Sequence, residues 1–376
     1  MKAFFRLFSL FVAVVMMLGS FSSCNFGRKD EDEQTFDDAN KAFIQNTTPF
    51  FNPVASHDTA DPFMTYDEET GYYYALFTLG GRLEIYRSRH AGQIISDGDS
   101  KVIYTPCDED SIYGSIWAPE MHKGSDGKWY IYTSGETSTE NGIKHLFVLQ
   151  AEDDDPFGDW KFMNILMPDL FCIDPTIYTG SDGTQYICYS RVDPEYGQVL
   201  EMCEMINPYT CSNERVVIAR AELDWELVPP YINTDESKRA IVEGAFFLER
   251  EGRLFIIYSA NGCWSDYYAL GVLEHLGGSI CDADNWVKHQ EPLLTMGNGV
   301  YGPGHASFFE SPDGSEVWCV YHGMKNSNDS ETPADRYMNL QRVEFDSTGY
   351  PIIGQPIGYE TPIMPPSGEG IKKPYN

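Results

Sequence analysis

The chain is poor in positive charge. Among its 376 residues, 26 Lys and Arg stand against 57 Asp and Glu, a formal balance of −31. Such a surface repels phosphate backbones, which excludes nucleic acid as a partner but leaves neutral ligands such as sugars open. Close cysteine pairs are also missing. The nine cysteines show no CxxC spacing, so thioredoxin-type and zinc-ribbon chemistry is excluded. No GxSxG motif marks a nucleophile elbow. His57, His122, His145 and His322 fit no metal-ligand spacing, and no dense Asp/Asn loop announces a high-affinity calcium site. Convincing long amphipathic helices are absent too. With 42% hydrophobic and 22% charged residues, the chain is neither disordered, collagen-like nor a coiled coil.

What is present begins with a targeting pattern. Residues 1–23 carry Lys2 and Arg6, an apolar run from Leu7 to Leu18, and a mostly small stretch from Gly19 to Ser23. The run is too short for an ordinary membrane span. Cys24 follows at once, and the arrangement resembles a bacterial lipoprotein cleavage site with lipid on that thiol, although Phe21 departs from the usual Leu. Ordinary secretion with an incidental Cys24 is the alternative. Lys29 followed by Asp30 to Glu33 resembles the surface-export signal of Bacteroidota lipoproteins. The expected location is therefore the outer membrane, at the cell surface, with periplasm or secretion as alternatives and membrane contact only through the lipid. Residues 24–45 read as a polar tether, 46–360 as one domain and 361–376 as a short tail. The eight remaining cysteines sit mostly in apolar strand-like runs and read as buried thiols.

One pattern recurs five times along the domain: a turn with Gly, then an aromatic and β-branched run. The turn glycines are Gly71, Gly127, Gly183, Gly252 and Gly314, spaced by 56, 56, 69 and 62 residues. Asp67, Asp126, Asp182 and Asp313 precede four of them, as hairpin turns favour. Five β-rich units of this length predict an all-β, five-bladed β-propeller. Two stacked β-sandwiches would not need one motif five times.

Seven to ten residues before each turn glycine stand Asp61, Glu120, Asp174, Glu243 and His305. In a propeller the first strand of each blade faces the central channel, so five ionisable groups at equivalent places would converge there. Charges in apolar strands are costly unless paired or used. Two carboxyl groups flanking a glycosidic bond suffice for hydrolysis, one donating a proton and one accepting it from water. A third nearby would raise the acid's pKa.

These motifs, in this order, resemble glycoside hydrolase family 43 over Phe51 to about Gln355. The resemblance implies an inverting enzyme with Asp61 as general base, Asp174 as pKa modulator and Glu243 as general acid. Asp58 is the rival base, less favoured because Pro62 and Phe63 follow Asp61 as the family pattern asks. Ala245 replaces a usual Pro after Glu243-Gly244, which should loosen one backbone dihedral. Trp117-Ala118-Pro119-Glu120, Asn261-Gly262-Cys263-Trp264 and Gly302-Pro303-Gly304-His305 resemble the exo-acting α-L-arabinofuranosidase branch. Arabinose- or xylose-containing glycans are then the expected substrates, with β-xylosidase the runner-up and a non-catalytic glycan-binding lipoprotein the alternative of another class. Arg336 resembles the family's active-site Arg. Trp117 could stack on a sugar or belong to the blade core. Glu120 could bond substrate or pair with Arg336. The resemblance implies no required cofactor, though His305 could lie by a structural calcium in the channel; it could equally be a hydrogen-bonded channel His.

Overall fold

The computed structural model describes residues 46–139, 142–227, 240–328 and 334–370. The expected signal peptide, Cys24 and tether lie outside these residues. The described chain forms five four-stranded antiparallel sheets, each built from consecutive strands. Blade 1 holds β1 (Phe63–Asp67), β2 (Tyr72–Leu76), β3 (Leu83–Ser88) and β4 (Asp99–Tyr104). Blade 2 holds β5 (Gly114–Lys123), β6 (Trp129–Glu136), β7 (Lys144–Ala151) and β8 (Trp160–Leu166). Blade 3 runs from β9 (Cys172–Thr179) through β10 (Gln185–Asp193) and β11 (Gly197–Asn207) to β12 (Thr210–Arg220). Blade 4 comprises β13 (Val242–Arg250), β14 (Arg253–Ala260), β15 (Ala269–His275) and β16 (Trp286–Lys288). Blade 5 comprises β17 (Tyr301–Glu310), β18 (Val317–Met324), β19 (Tyr337–Phe345) and β20 (Pro351–Ile352). The first strands pack in a closed ring, β1 beside β5 and β17, β9 beside β5 and β13, and β13 beside β17. This is the expected five-bladed propeller.

The repeat motif explains the blades. All five turn glycines adopt left-handed backbone, with φ between 69° and 85°, which glycine reaches without a Cβ penalty. Each preceding aspartate closes its turn with its carboxylate. Asp67 accepts from Thr70 N at 2.9 Å, Asp126 from Lys128 N at 3.2 Å, Asp182 from Thr184 N at 2.9 Å and Asp313 from Ser315 N at 3.0 Å. The aromatic runs after the turns are the second strands, buried between neighbouring blades: Tyr73, Tyr74, Tyr130, Tyr132, Tyr189, Tyr258 and Tyr321 are 2% exposed or less. All eight cysteines of the domain are free thiols, four of them buried.

Among the described residues, blade 5 takes no strand from the N-terminus. β20 pairs only with Glu344 and Phe345, so the rest of that edge of β19 is open. Residues 52–59 fill it. Asn52 bonds both backbone groups of Leu340, its Nδ2 to the carbonyl at 3.0 Å and its Oδ1 from the N–H at 2.9 Å. Val54 N donates to Met338 O, Met338 N to Thr59 Oγ1 and Thr59 N to Arg336 O. The edge is thereby covered rather than left to pair with another chain. Residues of the expected tail also dock: Ile363 pairs with Phe50, and buried Glu369 accepts from Asn46 Nδ2 at 2.6 Å and Ala91 N at 3.0 Å.

Candidate active site

In or just before each first strand, one equivalent position takes left-handed backbone. The residues are Asp61 (φ 53°), Ala118 (44°), Asp174 (57°), Gly244 (54°) and His305 (49°), each followed by Pro or Ala. Four of the five carry a Cβ, and such strain clusters at functional sites. This register corrects the expected equivalence. Ala118 and Gly244, not Glu120 and Glu243, correspond to Asp61, Asp174 and His305. Glu243 precedes its turn by one residue, while Glu120 lies two residues past its own. Ala245 occupies the place held by Pro62, Pro119 and Pro175, and blade 5 also uses Ala there, so the missing proline does not alter the turn.

The turns bring Asp61, Asp174, Glu243, His305 and Arg336 together. Asp61 Oδ1 lies 3.0 Å from Arg336 Nη1 and 3.3 Å from His305 Nδ1. Its Oδ2 accepts the Thr78 hydroxyl at 2.7 Å. Burial opposes the Asp61 charge, but Arg336 and then His305 hold its pKa well below the ordinary carboxylate range. Asp174 and Glu243 are the reverse case. Burial raises both, and negative neighbours add to it, Glu243 and Asp61 acting on Asp174 and Asp61 acting on Glu243. Gly244 N donates to Asp174 Oδ2 at 3.2 Å, while Glu243 is held by Gln198 and Tyr268, each at 3.0 Å. His305 lies between the acids, 4.0 Å from Asp174 Oδ2. Burial works against its charge, yet Asp61, Asp174 and Glu243 raise its pKa on balance.

His322, Thr78, Gln198 and Tyr268 had no part in the expected site. His322 Nδ1 accepts from Asp61 N at 3.0 Å, so its proton sits on Nε2. Burial pushes its pKa down to about 4, and the neutral ring stacks on Tyr268 with centroids 5.4 Å apart. Asp58 caps Arg336 N at 2.8 Å instead of facing the acids, consistent with its place in the loop. Glu120 does not pair with Arg336. It is buried and bonds His122 Nε2 at 2.7 Å, and the His122 ring packs against Phe63 and Phe246. Trp117 is 38% exposed at the mouth, with Lys144 Nζ 3.7 Å over its ring, so it is not blade core.

A calcium ion takes six to eight oxygen ligands. Among the described residues no group of three or more His, Cys, Asp or Glu side chains is arranged to hold a metal, and His305 Nδ1 already faces Asp61 and Asp174. The described side chains do not make the expected channel calcium site. Among the described residues, no helix is long and apolar enough to cross a membrane.

Residues 50–351 match glycosyl hydrolases family 43. An extracellular exo-α-(1→5)-L-arabinofuranosidase of Streptomyces chartreusis is 31% identical over 287 residues, covering 74% of this chain and 83% of that protein. The enzyme of the same name from Streptomyces avermitilis is 28% identical, and the match spans 64% of its length. The crystal structure of an α-L-arabinofuranosidase from Lactobacillus brevis superposes with a TM-score of 0.73 at 26% identity, covering 83% of this chain and 98% of that one. With Asp61, Asp174 and Glu243 drawn together in a five-bladed propeller and a family match over most of its length, this chain belongs to glycosyl hydrolase family 43 and is a glycoside hydrolase.

Proposed function

We propose that the protein is an exo-acting, inverting α-L-arabinofuranosidase that trims arabinose-containing glycans. One observation carries the mechanism: the site pushes its carboxyl groups apart in pKa. Arg336, 3.0 Å away, holds the Asp61 pKa down, while burial raises those of Asp174 and Glu243. Asp61 then takes a proton from water as the water oxygen attacks the anomeric carbon. Glu243 gives its proton to the glycosidic oxygen as the carbon–oxygen bond breaks and the leaving group departs as an alcohol. Asp174 and Glu243 resist being charged together, so a proton stays with the pair for Glu243 to give. His305 screens Asp61 from Asp174.

The surroundings support a sugar substrate. Six large aromatics are exposed among the described residues. Five of them, Tyr113, Trp117, Phe171, Tyr196 and Tyr267, lie in strand starts or loops at the end of blades 2 to 4 that carries Asp61 and Glu243. Flat apolar faces beside donors and acceptors suit pyranose and furanose rings. The choice of arabinofuranose rests on the relatives named above. Nitrophenyl α-L-arabinofuranoside, β-D-xyloside and β-D-galactoside, assayed with Asp61→Asn in parallel, test it. Arabinofuranoside cleavage lost in the variant is expected; preference for the xyloside would overturn the specificity, and silence on all three and on plant polysaccharides would overturn catalysis. We further propose lipid attachment at Cys24 with display at the cell surface, read from residues 1–33. Labelling with radioactive palmitate, lost in Cys24→Ala, is the expected result; an unlabelled native protein would reject it.

A further inference from the structure

Gln198, in β11 of blade 3, reaches across to the acid of blade 4. Its backbone N donates to Ala240 O at 2.8 Å, and its side-chain Nε2 touches two oxygens: Ser190 Oγ at 3.1 Å and Glu243 Oε2 at 3.0 Å. The orientation of this amide is forced. Ser190 has a single hydroxyl proton, and it goes to the Val242 carbonyl at 3.0 Å. Toward Gln198 the serine oxygen can only accept, so the amide nitrogen and not its oxygen must face it. The second hydrogen of that nitrogen then points at Oε2 of Glu243. An oxygen facing an amide N–H cannot also carry a proton directed at it.

The other carboxyl oxygen has a different neighbour. Oε1 lies 3.0 Å from the hydroxyl of Tyr268, a group that can accept from a carboxylic acid or donate to a carboxylate. Tyr268 is fully buried and stacked within 10° of parallel on His322. A Cβ on Gly304 would lie 2.3 Å from the Tyr268 ring, so the glycine makes room for it. Burial, and then the Glu243 charge, push the Tyr268 pKa well above 10, so the phenol keeps its proton throughout.

We propose that Gln198 and Tyr268 are positioning residues that confine the catalytic proton to Oε1 of Glu243 and hold the carboxylate left after its transfer. Before reaction the acid donates to the Tyr268 oxygen. During reaction the Oε1 proton moves to the glycosidic oxygen, the bond to the anomeric carbon breaks, and the alcohol leaves. The Tyr268 hydrogen then turns toward Oε1, while Gln198 continues to donate to Oε2. The carboxylate is thus met by two donors at the moment it forms. Glu243 regains its proton from solvent.

This inference rests on Glu243 being the general acid, and the test separates the two. Tyr268→Phe, Gln198→Met and Glu243→Gln would each be assayed on methyl and on 4-nitrophenyl α-L-arabinofuranoside across pH. An acid matters for the methoxide leaving group and little for nitrophenolate. Tyr268→Phe and Gln198→Met should each lose roughly 10-fold or more in kcat on the methyl glycoside and only about 2-fold on the nitrophenyl one. The basic limb of kcat/KM should move to higher pH in both, because each loses a donor to the carboxylate. Equal losses on both substrates with an unmoved limb would overturn the proposal, since a merely structural role predicts that pattern. Equal losses in Glu243→Gln would instead overturn the acid assignment. Circular dichroism and melting temperature identify a variant that fails to fold. If either variant is misfolded, the other, together with Gln198→Asn, decides.

Discussion

Thr78 donates its hydroxyl proton to Oδ2 of Asp61 at 2.7 Å, and it has no choice in the matter. The Ala118 N–H donates to the same hydroxyl oxygen at 2.8 Å, which leaves the single Thr78 proton for the carboxylate. The loop after β2 therefore fixes the base of blade 1 against the turn of blade 2, next to Trp117. Thr78→Val keeps the shape and removes both bonds. Its kcat should fall about 10-fold with KM nearly unchanged, as expected when a base is loosened and not removed. Thr78→Ser should recover most of the loss. A rise in KM with kcat intact would place Thr78 in sugar binding instead.

Arg336 sets the acidic limb of the pH profile. Asp61 is buried, which raises its pKa, and Arg336 is the largest of the charges that pull it back down. Removing the guanidinium in Arg336→Gln must raise the Asp61 pKa, so the limb of kcat/KM that reports the base should move to higher pH. Asp61→Asn in the same series should lose roughly 10²–10⁴ in rate at every pH. An unmoved acidic limb in Arg336→Gln would mean that another group titrates there.

The blades were legible because the turn chemistry is local. Gly71 or Gly183 needs only its own φ, and Asp182 needs only Thr184 two residues on. Asp61, Asp174 and His305 were legible because each stands nine or ten residues before its turn glycine. Glu120 was misread because counting ionisable residues cannot reveal that Ala118 holds the turn in blade 2. A shift of two residues then sends the carboxylate to His122. Gln198, Tyr268, Thr78 and His322 were not legible at all. They come from later strands and loops, and which of their side chains reach the channel depends on cross-strand register, such as Gly304 opposite His322. Only the geometry of a blade, not any local pattern, brings them to the acids.

Gly244 carries two constraints at once. Its φ is 54°, and a Cβ there would stand 3.0 Å from Cγ and Nδ1 of the His305 ring. Gly244→Ala should cost about 1–3 kcal/mol in a urea melt from the backbone alone. It should also push His305 off Asp61 and Asp174, so activity should fall by at least about 10-fold. Retention of full activity would show that the ring can move without consequence.

Asp174 should be a site where activity and stability oppose each other. Its folded-state pKa is raised, by burial first and then by the charges of Glu243 and Asp61. The native state therefore holds a proton that an unfolded carboxylate, with pKa near 4, releases. The stability from that proton is complete below about pH 4 and is lost as pH rises through the folded value. Asp174→Asn removes the need to protonate a carboxylate on folding and keeps an acceptor for Gly244 N. Its melting temperature should exceed that of the wild type by about 2–4 °C at pH 7 and match it near pH 4, while kcat falls by about 10² or more. A lower melting temperature at pH 7 would mean that the negative charge is needed for the fold.

Asn52 tests how the ring is closed. The open edge of β19 would leave the Leu340 N–H and carbonyl buried and unpaired, and the Asn52 side chain, 3% exposed, serves both. Asn52→Ala removes two bonds and leaves two backbone groups without partners, each costing about 1–3 kcal/mol. The segment is pinned again nearer the site, where Thr59 bonds Met338 and Arg336, and Asp58 caps Arg336. Those later bonds keep Asp61 in reach of Arg336 even when the first latch is cut. The variant should therefore unfold at a clearly lower denaturant midpoint, yet its folded fraction should turn over substrate within about 2-fold of the wild type at 25 °C, because nothing it loses touches the reacting atoms. A parallel collapse of kcat would show that closure and base positioning are one cooperative unit, with strain at Asn52 carried along residues 52–61 to the carboxylate.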